Sequence, residues 1–459
     1  MNLDICKSIH LIGIGGIGIS ALARIFLQQH KQVSGSDLRQ NLITEDLTEL
    51  GAQVSIGHKK ENITNDIDLV IYSTAVPDDN PERRKAKQLE IKQLSYPQAL
   101  NLLLTGKRGI AVAGTNGKTT VTALIGNILD NAHKDPTVVV GSNLKKYKGN
   151  ARLGKSDWTV VEACEYQAHM LELKPQQIVL TNIEADHLDY YKNLDDIASH
   201  FQQFIDQLDQ NGLLVLNNDD PGLQKLKPVA GRLVTYGLDK KANLQAQKIK
   251  VENSQQFFNL IWQEKIIGQA KINRPARFSV YNSLAAAAWA LANHIEPQVI
   301  LQSLEQDIGL WRRFQKIGTY NNCPVISDYA HLPSSISQTI EGAKKLYPEK
   351  KILAVFQPHQ HVRTKKLFKQ FCQSFSQADL LIVPEIFYVE GREKEKDQDI
   401  SSQDLVQAIT KQGTKALFAE DLEQAARLLE QNCQANQIIL LIGAGDVYLL
   451  GKELFKKNG

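Results

Sequence analysis

At 459 residues, with 42% hydrophobic and 22% charged residues, the chain is long enough for several domains, each with a sizeable core. A net charge of +3 is too small to suggest nucleic acid as a partner, and no apolar run approaches the roughly 20 residues of a membrane span. Five cysteines, Cys6, Cys164, Cys323, Cys372 and Cys433, are dispersed without paired short spacing, which argues against a disulfide framework or a cysteine zinc site. The opening residues MNLDICKSIH carry no basic leader, so the expectation is a cytoplasmic enzyme in a reducing compartment.

Short apolar strands alternate with helical patterns from end to end, which predicts an α/β chain with mainly parallel sheets. Residues 7–14 (KSIHLIGI) read as a buried strand, followed by a glycine turn and a helix through Ala21–Phe26. Strands at Gln32–Ser36 and Asp68–Tyr72 and a helical stretch at Gln98–Leu104 complete the first block. The second opens on a strand at Gly109–Ala113 and continues through Trp158–Glu162, Gln177–Asn182 and Leu213–Asn217. Alternation from Lys240 to Lys271 predicts antiparallel strands, before an alanine-rich helix at Ser283–Ala292. The third block has strands at Val325–Ser327, Ile352–Phe356, Leu380–Val383 and Ile438–Ile442. Boundaries near 105 and 308 give domains 1–105, 106–308 and 309–459.

Two glycine loops carry the chemistry. Gly13, Gly15, Gly16 and Gly18 fit G-x-G-x-x-G between strand and helix, where the backbone can approach a pyrophosphate at a helix N-terminus. Asp37 ends the next strand where a ribose-binding acid belongs. Such a cradle suits a dinucleotide or a UDP-sugar equally. The second loop, Gly114-Thr115-Asn116-Gly117-Lys118-Thr119-Thr120, follows a strand and opens a helix. Backbone amides would surround phosphates, Lys118 would neutralise charge, and the Thr119 hydroxyl would help hold Mg²⁺ (or Mn²⁺). Val112 stands where a strict phosphate-loop pattern has its first glycine. Glu162 and His187, at two strand ends beside this loop, are the further metal candidates.

These residues, with VVEACEY, TNIEADHLDYY, the RRF of 312–314, DYAHLP and FQPHQHVRT in this order, resemble the Mur ligases over nearly the whole chain, and within them the alanine-adding branch. The resemblance implies three domains: a Rossmann-like UDP-sugar domain, a central ATPase domain and a C-terminal dinucleotide-fold domain bringing the amino acid. It implies ATP, UDP-N-acetylmuramate and L-alanine as substrates of a monomer or weak homodimer. Gly114 to Thr120, Asn282, Arg313 and Asp328 would bind ATP, with Asn282 reading adenine. Asn150 would join the first glycine loop on the UDP-sugar, and His331 and Arg363 would meet the amino acid. Lys118, Arg313 and His331 are the implied catalytic residues.

Departures from the family pattern are Asn116 and Cys164, where histidine and aspartate are usual, and Phe278 and Gln360, where histidine and arginine are frequent. Cys164 reads as a small packing residue, and His359 and His361 as polar loop residues. Phe201 occupies the place of the lysine that is carbamylated in branches adding later residues. The competing readings are a muropeptide-recycling ligase, an NAD-dependent oxidoreductase and a non-catalytic nucleotide-binding module.

Overall fold

The computed structural model describes residues 5–228, 231–252, 255–274, 276–388 and 399–456. Its first sheet is built from β1 (Ser8–Ile12), α1 (Ile17–Gln28), β2 (Gln32–Asp37), α2 (Leu42–Glu49), β3 (Gln53–Ile56), β4 (Leu69–Tyr72), α3 (Pro81–Gln88), β5 (Lys92–Ser95) and α4 (Tyr96–Leu104). The strands are parallel in the order β3-β2-β1-β4-β5. The order reverses direction at β1, so the crevice at its C-terminal end is the natural ligand position.

The second sheet follows with β6 (Arg108–Ala113), α5 (Lys118–Asn131), β7 (Thr137–Leu144), β8 (Gly149–Arg152), β9 (Trp158–Glu162), β10 (Gln177–Leu180), α6 (Leu194–Ile205), β11 (Leu213–Asn217) and β12 (Arg232–Gly237). Its order is β12-β11-β10-β6-β9-β7-β8, parallel except where β8 turns back along β7. The alternating segment beyond it forms β13 (Leu244–Glu252), β14 (Gln255–Trp262) and β15 (Lys265–Ile272), the last two antiparallel as the alternation predicts. Helices α7 (Arg277–Ala292) and α8 (Pro297–Glu305) come next.

The third sheet comprises β16 (Gln315–Tyr320), β17 (Cys323–Asp328), α9 (Pro333–Leu346), β18 (Lys351–Phe356), α10 (His361–Lys366), α11 (Phe368–Gln373), β19 (Leu380–Pro384), α12 (Ser402–Lys411), β20 (Ala416–Ala419), α13 (Leu422–Asn432), β21 (Gln437–Ile442) and α14 (Leu449–Lys456). The order is β16-β17-β21-β18-β19-β20, with only β16 antiparallel to its neighbour. Central strands such as QIILLI are apolar beyond their first residue because both faces are covered. Ile438, Leu440 and Ile442 point into one core with Phe356, Phe371 and Phe375, while Ile439 and Leu441 point into the other with Leu429 and Leu454.

The chain divides into two compact units. One holds Met1–Ile183, Ala198–Leu244 and Ser283–Ser303; the other holds Glu184–Ile197, Gln245–Asn282 and Leu304–Gly459. Within the first unit α1 packs on β7 and β8, and α4 packs on β6 and β9. The two glycine loops therefore belong to one body.

Candidate active site

The first glycine loop leaves β1 through Gly13, whose φ of +81° is the left-handed region that glycine enters without strain. The Gly13 and Ile14 amides donate to the Ser36 carbonyl at 2.8 and 3.0 Å, which ties the turn to the end of β2. Gly15 N–H donates to Asp37 Oδ2 at 2.9 Å, and a Cβ at position 15 would meet that same oxygen. Gly16 caps α1, and no side chain makes a capping hydrogen bond there, so the first-turn amides point towards an anion position. The structure thus brings Gly13, Gly15, Gly16, Gly18 and Asp37 together. Asn150 is wholly buried, its amide donating to the Ile17 carbonyl and to Ser20 Oγ on α1.

Beneath this loop lies a polar cluster that sequence reasoning missed. Ser36 Oγ donates to Glu82 Oε2 at 2.6 Å, and His10 and His58 approach the same oxygen at 3.7 and 3.4 Å. Asn62 donates to the other oxygen. Burial alone would raise the Glu82 pKa, but the neighbouring imidazoles of His10 and His58 and the bonds from Ser36 and Asn62 outweigh it and hold the carboxyl far below its ordinary value. Asn80-Pro81-Glu82 reads in sequence only as a helix start: Asn80 caps α3 and Pro81 occupies its first turn.

The second loop runs from β6 into α5 through Gly114 and Gly117, with Gly117 left-handed at φ +86° as the N-cap. Lys118 Nζ donates to the carbonyls of Gly114 and Thr115 at 2.6 and 3.0 Å and pairs with Glu165 at 2.8 Å. Burial would lower the Lys118 pKa; the Glu165 carboxylate reverses this and raises it, so the ammonium stays charged. Thr119 Oγ1 donates to Glu162 Oε1 at 3.1 Å, and Glu162 Oε2 accepts from Gly141 N–H at 2.7 Å. A threonine hydroxyl beside a carboxylate is a hard oxygen pair of the kind Mg²⁺ takes. Asn116 is fixed by Asn182, whose Oδ1 accepts its N–H at 2.8 Å, and Thr181 Oγ1 donates to the Asn116 carbonyl at 2.6 Å. Glu165, Thr181, Asn182 and Gly141 were not among the expected site residues. The signal for Glu165 and Asn182 was already there, in polar residues just past the ends of β9 and β10.

In the second unit, Asp186 lies at the centre of a buried group. Its Oδ1 accepts from Arg363 Nε and Nη2 at 3.1 and 3.0 Å, and its Oδ2 lies 3.6 Å from His187 Nε2 and 3.7 Å from His331 Nε2. Burial works against its charge, but Arg363, with His187 and His331, holds the carboxyl well below the usual range. Burial also lowers the His331 pKa, with Arg363 adding to it, and His331 Nδ1 is 3.0 Å from the Tyr329 carbonyl. A shallow surface cleft is lined by Asp186, His187, Leu188, Gln360 and Arg363 among others. His359 stacks on Phe387 and meets Arg363 Nη1 at 3.2 Å, which is a structural polar role.

The RRF segment splits its two arginines. Arg312 is buried, donating to the Gly443 carbonyl and lying over Trp311, Tyr329 and Tyr448. Arg313 lies over the Tyr329 ring at 4.9 Å. Arg312 and Phe314 both have positive φ, at 54° and 49°, an uncommon conformation for residues with side chains. Asp328 Oδ2 accepts from Phe314 N–H at 2.6 Å and Oδ1 from Ala330 N–H at 2.7 Å, which anchors this bend. Asn282 is buried on α7.

Comparison with known proteins fits this arrangement. Residues 8–108 match the family described as Mur ligase family, catalytic domain; residues 112–290 match Mur ligase middle domain; and residues 312–445 match Mur ligase, glutamate ligase domain. The chain is 38% identical over 462 residues to a UDP-N-acetylmuramate–L-alanine ligase of Caldanaerobacter subterraneus, covering 100% of this chain and 99% of that one. It is 40% identical over 450 residues to the protein of the same name in Clostridium botulinum, covering 97% of each. The crystal structure of the UDP-N-acetylmuramate-alanine ligase of Thermotoga maritima superposes with a TM-score of 0.83 at 28% identity, covering 98% of this chain and 99% of that one. A murein peptide ligase from Psychrobacter arcticus shares the fold, with a TM-score of 0.72 at 22% identity and 98% of both chains covered. The chain belongs to the Mur ligase family, with its three-domain α/β architecture.

Proposed function

We propose that this chain joins L-alanine to the carboxylate of UDP-N-acetylmuramate, with ATP cleaved to ADP and phosphate, in peptidoglycan precursor synthesis. Full-length similarity to proteins named for that reaction supports the reading. The observation that carries it is the Lys118 clasp beside the Thr119–Glu162 pair, on the same body as the first glycine loop. An oxidoreductase would use only the first loop.

A carboxylate oxygen is a poor leaving group, so ATP first converts the muramyl carboxylate to an acyl phosphate. The alanine amine then attacks the acyl carbon and phosphate leaves. Lys118 stabilises charge on the transferring phosphoryl group, with Arg313 as a second cation. Gly114 to Thr120 cradle the ATP phosphates, Asn282 reads adenine, and Asp328 contacts the nucleotide directly or through the bend it anchors. Thr119, Glu162 and His187 would hold Mg²⁺, which when bound supplies Lewis-acid charge neutralisation at the phosphates. Gly13, Gly15, Gly16, Gly18, Asp37 and Asn150 serve the UDP-sugar, Asn150 by holding α1. Arg363 and His331 serve the alanine carboxylate and amine. We assign residues 1–105, 106–308 and 309–459 to the UDP-sugar, ATP and amino-acid domains, and place the enzyme in the cytoplasm as a monomer or weak homodimer. Among the described residues no helix is long and apolar enough to cross a membrane.

Phosphate release by the purified chain tests this, with ATP, Mg²⁺, UDP-N-acetylmuramate and a panel of amino acids and a tripeptide. Release that requires both the UDP-sugar and L-alanine is expected. Release with tripeptide alone would move the chain to muropeptide recycling.

A further inference from the structure

Tyr96 is the first residue of α4, positioned by Ser95, which caps the helix in a reciprocal pair with Gln98. Its ring lies against the first turn of α1. A Cβ at Gly18 would come within 2.8 Å of Tyr96 Cζ and 3.1 Å of both Cε atoms. The third glycine of the first loop is therefore glycine because the Tyr96 ring occupies the space a side chain would need. At its other side α4 packs on β9, the strand ending in Glu162. Burial raises the Tyr96 pKa, with Glu162 and Cys164 adding to it, so the phenol stays protonated. Tyr96 is half-buried, and among the described residues its hydroxyl makes no hydrogen bond.

These contacts define a path. A UDP-sugar with its pyrophosphate at the α1 N-terminus must extend its carboxylate towards Lys118, Thr119 and Glu162, where phosphoryl transfer occurs. Tyr96 touches the start of α1 at Gly18 and stands on the helix that packs against the Glu162 strand, so it lies along that route. We propose that Tyr96 is a substrate-contacting residue, its hydroxyl donating a hydrogen bond to the carboxylate-bearing end of the UDP-sugar. The inference rests on the function proposed above. A neutral donor suits the position: it orients an anionic carboxylate without forming a salt bridge that phosphoryl transfer would have to break.

The test compares the full-length wild type with Tyr96→Phe, which removes the hydroxyl and keeps the ring on Gly18. Binding of UDP-N-acetylmuramate and of UDP-N-acetylglucosamine, which lacks the lactyl carboxylate, is measured by calorimetry without ATP. Tyr96→Phe is expected to weaken UDP-N-acetylmuramate about tenfold and to leave UDP-N-acetylglucosamine within about twofold, since a lost bond to a charged group is worth about that much. In turnover, KM for ATP and alanine should stay within about twofold while kcat/KM for the UDP-sugar falls. Equal affinities for wild type and variant, or an equal loss for both ligands, would overturn the carboxylate contact and leave the proposed function standing. A wild type that binds neither UDP-sugar would overturn the function and this inference together.

Discussion

A single oxygen of Asp186 holds Arg363, accepting from Nε at 3.1 Å and Nη2 at 3.0 Å, with both side chains more than nine-tenths buried. Nη1 is taken by His359, through its carbonyl at 3.1 Å and its Nδ1. The guanidinium is thus oriented from two sides before any amino acid arrives. Lysine cannot reproduce this fork. Arg363→Lys should raise KM for alanine about tenfold while changing KM for ATP less than about twofold, measured by initial rates. Asp186→Ala should destabilise the fold by about 3 kcal/mol in urea unfolding, because it leaves a buried cation unpaired. Adding Arg363→Met to it should recover part of that loss; strictly additive losses would show that the pair is not coupled.

Lys118 spends its donors on Gly114, Thr115 and Glu165, so a bound polyphosphate must take over part of that role. Glu165→Gln leaves the buried ammonium without its counter-charge, and the ligand-free chain should melt several degrees lower. Saturating ATP supplies negative charge to the same ammonium and should narrow the gap between variant and wild type. Thermal shift with and without nucleotide reads this directly. A gap that ATP leaves unchanged would mean that Glu165 does not stand in for phosphate.

Both loops were legible because glycine spacing between an apolar strand and a helix has few other uses. Glu162, at the last residue of β9, was legible for the same reason: parallel strand ends face the ligand. Asn182 and Thr181 were read only as part of a strand-end motif, yet they clamp Asn116. No local pattern tells that a side chain just past β10 reaches a loop 66 residues earlier. Strands β3 and β5 were missed because four residues with exposed or half-exposed polar positions give too little period to detect. Helix α3, PERRKAKQ, has almost no apolar face, and its main buried polar residue, Glu82, looks like an ordinary N-terminal acid.

Glu82 makes acid stability a readout of that buried cluster. Its folded pKa is depressed below the unfolded value of about 4.3, so its contribution is fully present above that pH. It is lost progressively as the pH falls below about 4.3 towards the folded pKa, because protonation then costs the carboxylate its bonds from Ser36 and Asn62 and its attraction to the two histidines. Urea unfolding midpoints measured from neutral pH downward should therefore fall more steeply for the wild type than for Glu82→Gln. The variant should be less stable at neutral pH, with the two curves converging in acid. Parallel curves would mean that the carboxylate is not ionised in the fold.

Cys164 stands between Glu162 and Glu165, where the family usually carries aspartate. Desolvation raises its pKa and Glu165 adds to it, with Lys118 opposing, and the thiol is pushed up to about 12. Cys433 reaches about 12 as well, through burial and the nearby Cys323 sulfur at 3.8 Å. The thiolate is the nucleophile, and at about pH 8 such a thiol ionises only to about one part in ten thousand. Iodoacetamide should therefore label Cys164 and Cys433 far more slowly than a small free thiol, with rates that climb about tenfold per pH unit up to about pH 10. Peptide mass spectrometry over a time course separates the two sites. Rapid labelling of Cys164 at neutral pH would require a nearby cation to dominate, and Lys118 would have to have left Glu165. Slow labelling leaves Cys164 as a neutral packing group, so it adds no charge there and Lys118 is balanced by Glu165 first and Glu162 second.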